Sequence, residues 1–533
     1  MKGFYQKFSK ILGDILKNNY EVNLEPPLWE VPARKEFGDL SSMVALKLAS
    51  KLKKDSLEIA TDLKLKLVDY LKDETEKIEI IKPGFINIFV SKDALLSSLN
   101  NLLNEKEKFF KNNFKERVLL EFVSANPTGP LSIAHGRQAV VGDVIANILK
   151  FYGNIVEKEY YINDEGNQIK LLISSVKERI KEIKGEEFNI PENAYLGEYV
   201  KDIAKAYLEK GKDEGLENFV IDYILFWIKK DLKALDIEFD NWVSQKKLID
   251  DGYVEKVISF LKEKGLVYES EGSSWFCSTK FGDDKDRVII KSDKELTYFA
   301  CDIAYHKNKL ERNYDKLINL WGPDHHGYIK RVEAAIEALG YNKDILKIII
   351  IQLVSLKTKE KISKRKGTAI LLSDLVQKVG KNATRFYYLL RKNSSHLEFD
   401  INLAQEASFN NVLYYIQYAN ARIESIFKKA KLKEKDIDTA FIKYLNQEDE
   451  IDYLRTLLQF SNFLDKAYYT LEPVFIIEFL KTLATNFHKF YEKNKVLCED
   501  KNKTYARLAL LEGTKIVLHC ALKILGIKPV EKM

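Results

Sequence analysis

Three short apolar runs, each followed at once by a polar cluster, constrain this fold more than any other feature. The runs are Val118–Val123, Lys316–Trp321 and Ile348–Val354. Strands this apolar lack a solvent face. Alternating with stretches of helical period, they imply a parallel sheet covered on both sides. Ile155–Tyr161 adds another strand, and a helix is expected from about His135 to Tyr152, where Val140, Val144 and Ile148 form one stripe. In open sheets of this kind, ligands bind beyond the carboxyl ends of the strands. The clusters Ser124–His135, Gly322–Gly327 and Lys357–Gly367 should therefore converge on one crevice.

The 533 residues exceed what one core can organise. Residues 1–110 read as a small α+β unit, with helical period in Ser41–Lys54 and Ser56–Leu71. Strands Lys77–Lys82 and Phe85–Val90 flank a Pro83-Gly84 turn, and residues 93–113 read as helix. Residues 111–382 carry the sheet, interrupted by a mostly helical insertion at about 165–290 with a hairpin at 266–291. Residues 383–533 have helical period and little Gly or Pro. The expected fold class is multidomain α/β: a Rossmann-like parallel-sheet domain between a small N-terminal α+β domain and a C-terminal all-α bundle.

Composition excludes several classes. No segment reaches the roughly 18 uncharged apolar residues of a membrane span, and the first twenty residues carry charge throughout rather than an apolar signal core. Cys277, Cys301, Cys498 and Cys520 form no CxxC pair. Neither a zinc site nor a disulfide framework is indicated, and a reducing cytoplasm is expected. The net charge of +6 permits a polyanionic partner without demanding one.

In the first cluster, Gly129-Pro130 turns the chain into a helix starting near His135. A helix N-terminus offers free N–H groups and a partial positive charge, which suits phosphate, and His135 can donate to charge developing on an α-phosphate. The third cluster holds Lys357, Lys359, Lys361, Lys364, Arg365 and Lys366 against one acid, Glu360. Alone, such a run is a solvated basic loop. Placed after a buried strand, it can neutralise departing pyrophosphate. No GxGxxG follows a strand and no GxxxxGK[ST] exists, because Gly322–Gly327 is followed by Tyr328. Dinucleotide-dependent dehydrogenases and P-loop enzymes are thereby disfavoured.

Ser132-Ile133-Ala134-His135 and Lys361-Ile362-Ser363-Lys364-Arg365 resemble the paired nucleotide motifs of class I aminoacyl-tRNA synthetases. Glu121–Arg137, Tyr160–Gln168, Phe281–Asp293, Tyr298–Lys309, Gly322–Tyr328, Tyr414–Ile423 and Leu525–Met533 are similar to the arginyl members of that class. The resemblance implies ATP-dependent ligation of L-arginine to tRNA(Arg), with Mg²⁺ entering on ATP, no zinc, activation that needs bound tRNA, and no membrane. A monomer is expected. It assigns Ser132, His135, Gly322, Asp324, Gln352 and Lys364 to ATP, with His135, Lys361 and Lys364 catalytic. It assigns Ser124, Asn126, Gln245, Tyr298, Asp302 and His326 to arginine. Asp302 would accept the forked N–H groups of a guanidinium, which an ammonium cannot offer. The N-terminal unit resembles a module that docks on the tRNA elbow. The C-terminal bundle resembles an anticodon-binding domain, with Tyr415, Tyr418, Arg422, Tyr491 and Met533 as tRNA contacts.

The chain departs from the family pattern at three places. Ser132 replaces the first histidine of the nucleotide motif, Ala134 replaces its glycine, and Gln245 stands where a glutamate usually faces the guanidinium. These motivate a competing reading, a tRNA-binding relative without aminoacylation. Pyrophosphate exchange with arginine and tRNA discriminates the two.

Overall fold

The computed structural model describes residues 4–191, 193–210, 215–357, 370–432 and 437–533. The chain forms two compact units, one of Met1–Asn112 with Gln405–Met533, the other of Asn113–Ala404.

The first unit opens with α1 (Phe4–Tyr20), β1 (Leu40–Ser42), α2 (Val44–Leu52), α3 (Ser56–Leu71), β2 (Thr75–Ile81), β3 (Phe85–Val90) and α4 (Lys92–Glu105). Asp55 starts α3 by accepting from the N–H groups of Leu57 and Glu58. The stretch expected to be helical from Ser41 instead begins as strand. Leu40–Ser42 pairs antiparallel with Ile86–Ile88, burying Leu40 and Ser42 on one face. Cross-strand pairing overrides local period there.

The second unit runs β4 (Arg117–Glu121), α5 (Ile133–Phe151), β5 (Ile155–Ile162), α6 (Asn167–Lys184), α7 (Glu198–Lys210), α8 (Leu216–Ala234) and β6 (Asn241–Ser244). It continues with α9 (Gln245–Asp250), α10 (Tyr253–Glu263), β7 (Val267–Ser270), β8 (Ser273–Phe276), β9 (Arg287–Ile290), α11 (Tyr298–Leu310) and β10 (Lys316–Trp321). Then come α12 (Ile329–Ala338), β11 (Leu346–Ile350), β12 (Val354–Leu356), α13 (Leu372–Tyr388), β13 (Leu397–Phe399) and α14 (Ile401–Gln405). The bundle follows as α15 (Val412–Ala430), α16 (Glu448–Leu458), α17 (Phe460–Thr470), α18 (Val474–Lys493) and α19 (Lys501–Ile524).

The central sheet has order β11-β10-β4-β5-β6, and every neighbouring pair is parallel. Two features differ from expectation. The region read as an insertion contributes β6, which pairs with Glu159–Ile162 at the sheet edge, and its hairpin is part of a three-stranded sheet, β7-β8-β9. The run Ile348–Val354 is not one strand. It leaves the sheet after Ile350, and β12 pairs instead with β13.

Leu119 and Leu317 of the sheet pack against Phe299 and Ile303 of α11 and Val332 and Ile336 of α12. Truncating such fully buried apolar side chains costs about 2–5 kcal/mol each. On another face, Gly136 lets α5 approach α13: a Cβ there would meet Leu372 Cδ1 at 2.5 Å and the Tyr388 hydroxyl at 2.7 Å. Buried Asp143 of α5 accepts from Arg385 of α13 at 2.6 Å and from Lys158 of β5 at 3.1 Å. These contacts fix the helix that carries His135.

Within the first unit, the N-terminal module and the bundle share a core. Asp39 accepts from the Val90 N–H at 2.7 Å and from Arg455 at 2.5 Å. Asn462 donates to the Trp29 carbonyl at 2.9 Å, and the rings of Phe110 and Phe460 meet edge-on at 4.9 Å.

Candidate active site

A cleft of about 770 Å³ opens where β4, β5 and β10 end. Beyond Glu121 the chain turns sharply, with Val123 at φ 69° and Ser124 at φ 39°. A β-branched residue in the left-handed region stores about 1–3 kcal/mol. The turn aims the Ser124 hydroxyl at both neighbouring strands: it donates to Glu121 at 2.9 Å and accepts from the Tyr161 N–H at 3.1 Å. Asn126 donates to Gln168 at 2.8 Å.

At the start of α5, the Ser132 N–H donates to His135 Nδ1 at 3.1 Å. An accepting Nδ1 leaves the ring proton on Nε2. Burial holds the His135 pKa below the usual histidine range, so the neutral ring keeps one N–H donor at the cleft.

Across the cleft stands α11, capped by Thr297, which accepts from the Ala300 N–H. Asp302 projects from its second turn and accepts from the Tyr328 hydroxyl at 2.6 Å. Burial and the nearby Glu121 charge push the Asp302 pKa up to about 7, against the opposing pull of Tyr328 and Lys309. One buried network holds this helix. Lys309 pairs with Glu121 and donates to Asn319 at 3.0 Å. Asn319 in turn donates to His306 Nε2 at 3.1 Å, while His306 Nδ1 donates to the Asp302 carbonyl at 2.8 Å. Burial lowers the His306 pKa to about 3, so its ring is neutral. Behind the network, the Tyr161 and Tyr305 rings stack at 4.1 Å. The buried Gln245 carbonyl oxygen accepts from the Tyr161 hydroxyl at 2.9 Å.

Of the residues singled out by sequence, Ser124, Asn126, His135, Gln245, Tyr298, Asp302, Gly322 and Asp324 line this one cleft. Ser132, Gln352 and His326 do not. The Ser132 backbone bridges to Leu371. Gln352 turns its side-chain oxygen to the Leu353 N–H at 3.0 Å, because the chain is leaving the sheet there. His326 is exposed on the turn 323–328, and its neighbour His325 lines the cleft instead. Lys361 and Lys364 lie outside the described residues. Sequence reasoning passed over Glu121, Tyr328, Arg331 and the Lys309 network. Tyr328 sits in the quoted Gly322–Tyr328 stretch, but its partner is 26 residues away. Among the described residues, no group of three or more His, Cys, Asp or Glu side chains could hold a metal ion, and no helix is long and apolar enough to cross a membrane.

In the helical bundle, Tyr418, Arg422, Tyr491 and Met533 line a separate groove of about 560 Å³. Arg422 donates to the Tyr418 hydroxyl at 2.8 Å and lies 4.5 Å over the Tyr491 ring. Tyr415 is not in the groove wall and packs on His488 at 4.5 Å. Arg422, Lys428, Lys429 and Lys532 outnumber Glu424 and Glu531 in the groove lining, which leaves it net positive.

Three family models match in sequence order. They are the arginyl tRNA synthetase N terminal domain over residues 4–90, the tRNA synthetases class I (R) catalytic domain over 98–402, and the DALR anticodon binding domain over 416–533. An arginine–tRNA ligase of Aquifex aeolicus is 40% identical over 97% of this chain and 98% of its own length. Another, from Listeria welshimeri, is 41% identical over 96% and 95%. In fold, the chain is similar to the Thermus thermophilus arginyl-tRNA synthetase, with a TM-score of 0.80 at 20% identity, covering 99% of this chain and 100% of that one. The identity with the ligases spans nearly the whole chain, and the sheet that builds the cleft lies inside the class I match; the chain belongs to the arginyl-tRNA synthetase family of class I.

Proposed function

We propose that this chain activates L-arginine with ATP, carried as its Mg²⁺ complex, and esterifies the arginyl group onto tRNA(Arg). The observation that carries the reading is Asp302. It is a carboxyl group at a buried end of the cleft, hydrogen-bonded by Tyr328, with a pKa raised to about 7. Such a group gains most from a cation that brings its own charge and paired N–H donors. Tyr298 at the rim and the free lone pair of the Gln245 carbonyl complete the guanidinium end. Ser124 and Asn126 face the α-amino and carboxylate end, with His326 assigned there by family likeness.

The arginine carboxylate attacks the α-phosphorus of ATP, the bond to the β-phosphate oxygen breaks, and pyrophosphate leaves. His135 Nε2–H donates to the α-phosphate oxygen as charge builds on it, and Gly322 and Asp324 hold the nucleoside. Ser132 contributes through the tautomer it imposes on His135. Gln352 is assigned to ATP by family likeness alone, as are Lys361 and Lys364, the two lysines meeting the charge of the leaving pyrophosphate. The 2′-hydroxyl of the terminal adenosine then attacks the arginyl carbonyl, releasing AMP. A polar site that demands a guanidinium rejects smaller analogues without an editing domain.

Residues 1–110 dock on the tRNA elbow, 111–382 perform the chemistry, and 383–533 read the anticodon, with bases stacking against Tyr415, Tyr418, Tyr491 and Met533 and Arg422 meeting phosphate or a base edge. The chain acts as a cytoplasmic monomer. Charging of tRNA with arginine, and not with lysine or citrulline, is the expected result. Intact tRNA binding without pyrophosphate exchange would refute the reading.

A further inference from the structure

Arg331 lies on α12 and lines the cleft, yet nothing in the proposed chemistry uses it. Its guanidinium sits 5.1 Å over the Tyr328 ring. Its Nε is enclosed without an acceptor, and among the described residues no carboxylate pairs with it. An arginine held flat on an aromatic ring, with its charge uncompensated, is set up to receive an anion through its planar fork of donors. Electrostatics rule out the guanidinium end of arginine as its target, since two like charges would meet there. Nor is Arg331 among the charges that set the Asp302 pKa.

The surroundings narrow the ligand. Trp321, His325 and Tyr328 form a ring cluster at the same edge of the cleft, with centroids 5.9–6.3 Å apart. A cation beside clustered aromatic faces is the arrangement that holds a nucleotide by phosphate and base together.

We propose that Arg331 is a phosphate-binding residue of this cleft, pairing with a nucleotide phosphate while the adjoining rings receive its base. The proposal rests on the synthetase reading, which supplies two sources of such a group: ATP and the single-stranded 3′ end of tRNA. The test compares Arg331→Gln and Arg331→Lys with the unaltered full-length chain. ATP affinity is measured by calorimetric titration. Affinity is also measured for intact tRNA and for tRNA lacking its three terminal nucleotides.

At least a tenfold loss of ATP affinity in Arg331→Gln, with an unchanged ratio of intact to shortened tRNA, supports the proposal with ATP as source. Loss of the advantage of intact over shortened tRNA supports it with the acceptor end as source. In either case Arg331→Lys recovers only part of the binding, because it keeps the charge and loses the fork. Unchanged binding of both ligands overturns the proposal. So does a rise confined to the KM for arginine, which would make Arg331 a support for Tyr328. Failure of the unaltered chain to bind either ATP or tRNA would overturn the synthetase reading as well.

Discussion

The raised pKa of Asp302 has a measurable consequence for how arginine binds. With a pKa of about 7 for Asp302, only about a tenth of the chains carry the ionised carboxylate at pH 6, and about nine tenths carry it at pH 8. A guanidinium binds the ionised form. Arginine affinity should therefore rise about tenfold from pH 6 to pH 8, worth about 1.4 kcal/mol, and level off above that. The sign is fixed by the direction of the shift: raising pH removes a proton that binding would otherwise have to displace. The other cleft histidines with resolved shifts do not interfere, since His135 and His306 are both held below the usual histidine range. Calorimetric titration of arginine in two buffers of different ionisation enthalpy reports the displaced proton directly. About 0.9 proton should leave per arginine bound at pH 6, and about 0.1 at pH 8. In Asp302→Asn the release should vanish and arginine should bind far more weakly. A flat affinity profile with no proton release at pH 6 would refute the assignment of the guanidinium to Asp302.

Other outcomes follow from the same geometry. Tyr328→Phe removes a donor to a carboxylate, a bond of about 1.5–3 kcal/mol, so the pH profile of arginine binding should move upward by about one to two units; an unmoved profile counts against that hydrogen bond. His135→Ala should lower the rate of pyrophosphate exchange by about 10²-fold with arginine affinity retained, as expected for loss of one transition-state donor. Tyr418→Ala should weaken tRNA binding by about 1–3 kcal/mol and leave the KM for arginine alone; equal losses in both would refute the separation of groove and cleft. Asp143→Ala removes the carboxylate shared by buried Arg385 and half-buried Lys158 and should destabilise the catalytic unit by about 3–5 kcal/mol, read as a lower thermal midpoint.

The sheet was legible where local sequence carries the information. Lys316–Trp321 and Phe85–Val90 are strands over the residues expected, because a turn or a polar cluster bounds each apolar run. Ile348–Val354 misled because apolar character does not say which partner a strand takes. The backbone changes partners inside that run: Ile351 N–H donates to Trp321, and Gln352 N–H to Asn393. Strand β6, Asn-Trp-Val-Ser, was missed because a half-buried edge strand needs no apolar run. In the cleft, Asp302 and His135 stood out through the motifs around them. Glu121 and Lys309 could not, being 188 residues apart in sequence and joined only by the fold. Arg331 had no signal at all, since Lys330-Arg331 reads as one more basic pair in a lysine-rich chain.

The shared core of the N-terminal module and the bundle sets an order of assembly. Trp29, Asp39 and Phe110 find their partners Asn462, Arg455 and Phe460 only after more than three hundred further residues have been synthesised. Residues 113–404 can close around their own sheet in the meantime, as domains do while still tethered to the ribosome. The N-terminal module is thus completed only after the catalytic unit has been made, and it must wait with part of its apolar surface uncovered.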